Sequence, residues 1–473
     1  MDLPKIIQGG MGAGVSSWRL ARVVSSLGQL GVVSGIALDV ILARRLQDGD
    51  ADGSVRRAIE HFPFREIAER VVAKYFVPGG KPKSQRYAMA PMHTVRSAPE
   101  VDELCMLGNF VEVFLAREGH DQPVGINYLE KIQLPLLPSI YGALLAGVAY
   151  VLIGAGIPIR IPGVLDLLSA NQAAAYELTV AGTSAEDAPR LQFDPARYFE
   201  GTTPPALERP RFLAIISSNA LATTMLKRSN GRVDGLIVET PTAGGHNAPP
   251  RGKTQLDVEG QPLYGDKDQV DLEKLRELGV PFWLAGGYAT PEQFRNALTV
   301  GASGVQVGTA FAFCEESGLA PEYRNAVLTK AQDGVISVFT DPLASPTGFP
   351  FKVAQLDGSL SDTALYESRK RICDLGYLRQ AYRKSDGRIG FRCPGEPTDS
   401  YIAKGGAEAD TIGRKCLCNA LIANIGHAQQ RAGGPELPLL TAGDDLYEIS
   451  RFFRNGDASY SARDVIAHIL AGA

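Results

Sequence analysis

Short apolar runs recur along the chain with helix-length spacers between them. Lys5–Gln8, Val32–Gly35, Phe110–Leu115, Val124–Tyr128, Tyr150–Ile153, Phe212–Ser217, Gly235–Glu239, Phe282–Ala285 and Gly304–Val307 read as buried strands. Several are continuous rather than alternating, the pattern of parallel strands covered on both faces. Trp18–Leu27, Leu272–Leu278 and Pro291–Val300 are amphipathic with helical spacing, and the last two begin in polar or acidic surroundings suited to helix N-termini. A β-α order repeated about eight times predicts an α/β fold of the (β/α)8 TIM-barrel type rather than an open doubly wound sheet.

Three segments exceed a minimal barrel. Asp48–Arg96 is long and charged, with a helix expected at Phe64–Tyr75 ahead of Pro78-Gly-Gly-Lys-Pro82. Gly182–Pro210, rich in proline and acidic residues, reads as a surface excursion. Ser345–Gly443 is the largest. The expected organisation is a barrel over 1–344 with excursions near 48–96 and 182–210, a C-terminal extension over 345–443 and a closing helical segment over 444–473. No internal repeat is visible, which excludes a solenoid.

Composition narrows the function classes. The chain has 473 residues, enough for one large domain with additions or for two domains. Its hydrophobic fraction of 45% and charged fraction of 21% are those of a globular protein. A net charge of −4 without a Lys/Arg run argues against nucleic acid as a partner. The most apolar stretch, Leu134–Ile153, is broken by Pro135, Pro138 and glycines, so no membrane span is expected. No basic start precedes an apolar stretch, and the cytoplasm is the default expectation. The expected partner is a small-molecule substrate or an acyl thioester, and a homo-oligomer is left open.

The chemistry concentrates where apolar runs end in glycine. Asp234-Gly-Leu-Ile-Val-Glu-Thr-Pro-Thr-Ala-Gly-Gly-His246 places a histidine directly after Gly244 and Gly245. Trp283-Leu-Ala-Gly-Gly287 and Gly304-Val-Gln-Val-Gly-Thr309 end the next two strands in the same way. A glycine at a strand end lets backbone approach a ligand, because no Cβ intervenes. Gly286, Gly287, Gly308 and Thr309 therefore read as a phosphate site on the last two barrel strands, although tight turns need glycines as well. His246, beside that site, suits proton transfer near neutral pH. His61, His93, His120, His427 and His468 lack such surroundings and read as structural or surface residues. Gly9-Gly-Met-Gly-Ala-Gly14 has the wrong spacing for a dinucleotide fingerprint.

Five motifs in order, Ile6-Ile-Gln-Gly-Gly-Met-Gly12, Gly125-Ile-Asn127, Ala243-Gly-Gly-His246, Ala285-Gly-Gly287 and Gln306-Val-Gly-Thr309, resemble the nitronate monooxygenase family and its flavin-dependent enoyl-ACP reductase relatives. The resemblance covers roughly the first two-thirds of the chain. It implies FMN as cofactor, with Gly10, Met11, Asn127 and Gln306 near the flavin and His246 as the catalytic base. Glu239 stands where many family members carry Gln, and Gly10 where most carry Pro. A carboxylate there must be exposed, be paired with a cation or have a raised pKa. The resemblance implies oxidation of a nitronate or similar carbon acid with O2. It also admits a trans-acting enoyl-thioester reductase with NAD(P)H as co-substrate. A flavin-binding assembly subunit with an electron-relaying cluster is the alternative of another class.

Two further groups of residues carry open readings. Cys373, Cys393, Cys416 and Cys418 read either as thiolate ligands for zinc or an iron–sulfur cluster, or as small packing residues of the extension. Arg392, Arg414 and Lys415 beside them favour ionised thiols, whereas the spacing lacks a Cys-x-x-Cys pair. Asp39, Arg44, Arg45, Gln47, Asp48 and Asp50 follow the second strand and read as substrate contacts or, for most of them, as a salt-bridged helix face.

Overall fold

A computed structural model describes residues 3–183, 187–199 and 203–471. Parts of the 182–210 excursion (184–186 and 200–202) and the last two residues of the closing segment lie outside the described residues. Eight parallel strands among the described residues form the centre: β1 Ile6–Gln8, β2 Gly31–Ser34, β3 Val124–Leu129, β4 Tyr150–Gly154, β5 Arg211–Ile216, β6 Gly235–Glu239, β7 Phe282–Ala285 and β8 Gly304–Val307. Each pairs with its sequence neighbour from β2 to β8, and β8 pairs with β1, Ile6 opposite Val305. The ring closes between β1 and β2, where the Gln8 N–H donates to Leu30 O at 2.9 Å and the Leu30 N–H to Ile6 O at 3.0 Å. This is the predicted (β/α)8 barrel.

Two apolar layers follow from the strand period of two. Ile7, Leu30, Val32, Tyr150, Leu152, Leu213, Ile237 and Trp283 fill the barrel interior. Ile6, Val33, Ile126, Val151, Phe212, Leu236, Leu284 and Val305 face the surrounding helices. Helix starts carry local signals. Ser218 accepts from the Leu221 N–H ahead of Asn219–Arg228, and Thr290 caps Pro291–Thr299, whose proline occupies the first turn without losing a needed donor.

One expected strand is a helix. Phe110–Leu115 lies inside the helix Pro99–Arg117, which is buried over most of its surface. A helix covered nearly all round loses its polar stripe, so a β-branched and aromatic stretch within it imitates a buried strand. Its Glu112 accepts from the Trp18 N–H at 2.7 Å and from Arg45 at 2.5 Å, which ties it to two other barrel helices. The helix expected at Phe64–Tyr75 is present as Arg65–Tyr75.

The extension packs back onto the barrel. Phe351–Ala354 pairs antiparallel both with Val338–Asp341 and with Gly245–His246. Gln380–Arg383 runs parallel to Val180–Ala181, just ahead of the 182–210 excursion. The helix Ala462–Ile469 lies beside Trp18–Ser26, and Tyr460 donates to Ala310 O at 2.8 Å. Among the described residues no helix is long and apolar enough to cross a membrane.

Candidate functional site

A cavity of about 210 Å³ sits at the C-terminal ends of the strands. Each strand or the turn after it contributes to its wall: Gly9 to Gly12, Ser34, Asn127, Gly154, Ile215, Glu239, Ala285 and Gln306. Gly10, Met11, Asn127, Glu239, Gly244, Gly245, His246, Gly286, Gly287, Gln306, Gly308 and Thr309 all line this one chamber. The structure thus brings together every barrel residue that the sequence singled out for the site.

The glycines are required by close approach. Gly286 has φ +91°, and a Cβ there would lie 2.2 Å from Thr240 Oγ1. At Gly10 a Cβ would come 2.3 Å from Asn127 Cβ, so glycine lets the first turn rest on the third strand. A Cβ on Gly244 would meet the Ala442 carbonyl carbon at 2.7 Å, where the C-terminal region crosses the histidine loop. Asn127 directs its amide N–H groups to Leu152 O (3.1 Å) and Tyr128 O (3.3 Å), so its donors serve the barrel wall. The Thr309 hydroxyl accepts from the Gly443 N–H at 2.8 Å. Gln306 Oε1 is buried and has no hydrogen-bond partner among the described residues.

Two titratable groups face the cavity side by side in chemistry. His246 Nε2 is 2.7 Å from Ser345 Oγ, and its ring meets Phe351 edge-on at 4.7 Å. Burial, and secondarily the Lys131 ammonium, push the imidazole down to about 4, so it is neutral at pH 7. Glu239 has no hydrogen-bond partner among the described residues, and burial pushes its carboxyl up to about 7. Of the three outcomes open to a carboxylate at this position, the structure selects the raised pKa. Both residues also line an adjoining outer cavity of about 300 Å³, together with Arg251, Tyr264 and Phe349.

The roof of the chamber was not legible beforehand. Tyr377, Leu378, Leu417, Cys418, Asn424 and Thr441 come from the C-terminal extension, as does Ser345, the partner of His246. Of these only Cys418 was singled out in the sequence, as a candidate metal ligand; no motif marked the others, and only their contacts place them. The helix after the second strand, in contrast, is structural. Asp39 binds His93 at 2.8 Å and accepts from the Tyr377 hydroxyl, and Arg44 donates to His427 O. Arg45 pairs with Glu112, the Gln47 side chain holds Ala88, Asp48 pairs with His427 at 2.9 Å, and Asp50 pairs with Arg56. None of these six lines the 210 Å³ chamber.

The four cysteines lie near one another in the extension. Cys373, Cys393, Cys416 and Cys418 lie within electrostatic reach of one another. Among the described residues, no three His, Cys, Asp or Glu side chains form a group that could hold a metal ion. The zinc or iron–sulfur expectation for Cys373, Cys393, Cys416 and Cys418 therefore gains no support. A closed four-thiolate site needs all four sulfurs on one centre.

Residues 208–343 match the nitronate monooxygenase family model. A probable nitronate monooxygenase of Staphylococcus saprophyticus is 28% identical over 131 residues, 27% of this chain and 36% of that protein. A probable nitronate monooxygenase of Bacillus subtilis is 30% identical over 112 residues, 24% of this chain and 30% of that protein. The aligned region thus spans about a third of the length of these curated relatives. Among solved structures, a nitroalkane oxidase from Streptomyces ansochromogenes aligns over 99% of this chain and 95% of its own, with a TM-score of 0.48 and 15% identity. The segment that matches the nitronate monooxygenase family model, residues 208–343, holds the histidine loop and both glycine-ended strands that follow it.

Proposed function

We infer that this chain is an FMN-dependent oxidoreductase that oxidises a nitronate or a similar carbon acid with O2. The convergence of the glycine turns, Gln306, Glu239 and His246 on one chamber carries the reading. The residues present fit a flavin. Gly286 and Gly287 have φ of +91° and +76°, a backbone cradle that side chains would fill or strain. Gln306 offers a buried amide oxygen that has no protein partner among the described residues, suited to an N–H donor. Gly286, Gly287, Gly308 and Thr309 would hold the phosphate, with Gly10, Met11, Asn127 and Gln306 against the ring. When bound, the flavin supplies the electron transfer from substrate and on to O2.

The chain's own residues manage protons and water. The Ser345 contact occupies His246 Nε2 and fixes the ring, which leaves Nδ1 to take a proton from the substrate carbon. Being neutral at pH 7, the imidazole is always in its accepting form there. Glu239, near half-protonated at neutrality, can hold that proton or return it. Phe351, Leu378, Leu417 and Leu440 in the chamber wall limit the access of water.

A second reading, NAD(P)H-dependent reduction of an enoyl thioester, is favoured by the outer 300 Å³ cavity, which shares Glu239 and His246 with the inner one and offers room for an elongated acyl chain. Anaerobic mixing of the purified yellow protein with a nitronate or with NAD(P)H separates the two. Bleaching by the nitronate alone is expected. Rapid bleaching by NAD(P)H followed by recovery on adding an enoyl thioester would replace the first reading with the second, and a colourless protein that takes up no FMN would refute both.

A further inference from the structure

The C-terminal segment reaches the proposed phosphate cradle. The Gly443 N–H donates to Thr309 Oγ1 at 2.8 Å, and the Asp444 N–H donates to Thr242 O at 3.0 Å. A Cβ on Gly443 would lie 2.5 Å from the same Thr242 oxygen, so the two backbones are in contact. Gly286 and Gly287 border that loop as well, since a Cβ on them would lie 2.8 Å and 3.7 Å from Thr242 Oγ1. Asp445, two residues past Gly443, lines the chamber.

Its carboxyl has no partner there. Asp444 beside it is bonded to Lys352 at 2.7 Å, whereas Asp445 makes no ion pair or side-chain hydrogen bond among the described residues. Among the described residues no Lys or Arg lines the chamber, so a phosphate bound in it meets backbone N–H groups and hydroxyls without a counter-ion. An ionised carboxylate beside a phosphate repels it, but a protonated carboxyl donates an O–H to it. Burial, opposed by Arg451, already pushes the Asp445 carboxyl up.

The surrounding charges are few. Those within electrostatic reach of Asp445 are Arg451, Asp444 and Glu448 of its own segment, Asp444–Phe452, and Arg451 is bonded to Glu448 at 2.5 Å. The 242–245 loop and the helix Thr309–Ala312 bring no ionisable side chain except His246 just beyond the loop. Two more helices pack on the segment, Pro321–Gln332 and Ala462–Ile469. Their Lys330 is paired with Asp357, Asp464 with Arg454, and Arg324 with Glu315 O. His468 lies against Phe452, while Glu322 and Arg463 are exposed.

Resting on the flavin reading above, we propose that Asp445 is a cofactor-binding residue whose protonated carboxyl donates a hydrogen bond to the FMN phosphate, so that FMN and one proton bind together. By linkage, FMN then binds more weakly as pH rises, by up to about 10-fold per pH unit above the range in which the free carboxyl ionises.

Flavin fluorescence measures this. The full-length protein is freed of flavin and titrated with FMN or riboflavin at about pH 6 and about pH 8.5, as the parent and as Asp445→Asn, whose amide donates at every pH. The variant should bind FMN within about 3-fold of the parent at the lower pH and at least about 10-fold more tightly at the higher. Riboflavin has no phosphate and should show no such difference. The second ionisation of the phosphate, at about 6, and the Glu239 carboxyl titrate in both proteins and cancel from the comparison. An FMN affinity ratio between variant and parent that is the same at both pH values would overturn the proposal, as would an equal change with riboflavin. A parent that binds neither flavin at either pH would instead sink the flavin reading, and this proposal with it. If the variant does not fold, calorimetry on the parent in two buffers of different ionisation enthalpy counts protons directly. Uptake of about one proton on binding FMN beyond that on binding riboflavin is expected at about pH 8, and no excess would overturn the proposal.

Discussion

Glu239→Gln removes one proton site and nearly nothing else. Gln has the same shape, so packing at the end of the sixth barrel strand is kept, and only the ionisation is lost. The folded carboxyl has its pKa raised from 4.5 to about 7 by burial. Between those values the folded chain binds more protons than the unfolded chain, so folding stability falls as pH rises through this window. Below 4.5 both states are protonated and the penalty vanishes; above 7 it is complete. One pKa unit corresponds to about 1.4 kcal/mol, so the full penalty is roughly 3 kcal/mol, an upper value because the residue is partly open to the cavity. At about pH 5 the same relation leaves somewhat under about 1 kcal/mol. Glu239→Gln should therefore be more stable than the parent at about pH 8 by roughly 2 kcal/mol beyond any difference at about pH 5. Urea unfolding of both proteins at the two pH values, at equal flavin saturation, measures this double difference. A difference between variant and parent that does not change with pH would refute a buried, unpaired carboxyl at this position.

Other expectations follow from the same geometry. His246→Ala should remain yellow but lose at least about 100-fold in turnover, and unchanged activity on the true substrate would reassign the ring to structure. Gly286→Ala should cost about 3 kcal/mol, from strain at φ +91° and a 2.2 Å contact with Thr240 Oγ1, whereas Gly287→Ala, whose nearest neighbour would be 3.7 Å away, should cost only the backbone strain of about 1–2 kcal/mol. Equal melting temperatures for these two variants would contradict that ranking. Gly287→Asp adds bulk and negative charge at the proposed phosphate cradle and should yield colourless protein, as absorbance of the purified variant would show. Glu436→Ala strands the buried Arg369 and leaves Arg431 only its pair with Asp374, and should destabilise the extension by about 3–5 kcal/mol, read by chemical unfolding.

The sequence by itself determined the barrel and the barrel's share of the site. Parallel strands buried on both faces must be apolar throughout, and backbone that approaches a ligand must lack Cβ, so both requirements are written as local residue type. That is why Gly286, Gly287, Gly308 and His246 were readable one by one and meet on one cavity. Phe110–Leu115 misled for the converse reason: a helix buried nearly all round carries no periodic stripe. Only tertiary structure decided the rest. Ser345 reaches His246 across 99 positions of sequence, and Tyr377, Leu417 and Thr441 roof the chamber through contacts no local pattern encodes. The state of Glu239 likewise depends on burial within the folded chain. A pKa is a property of the surrounding dielectric and charges, and those exist only once the chain has folded.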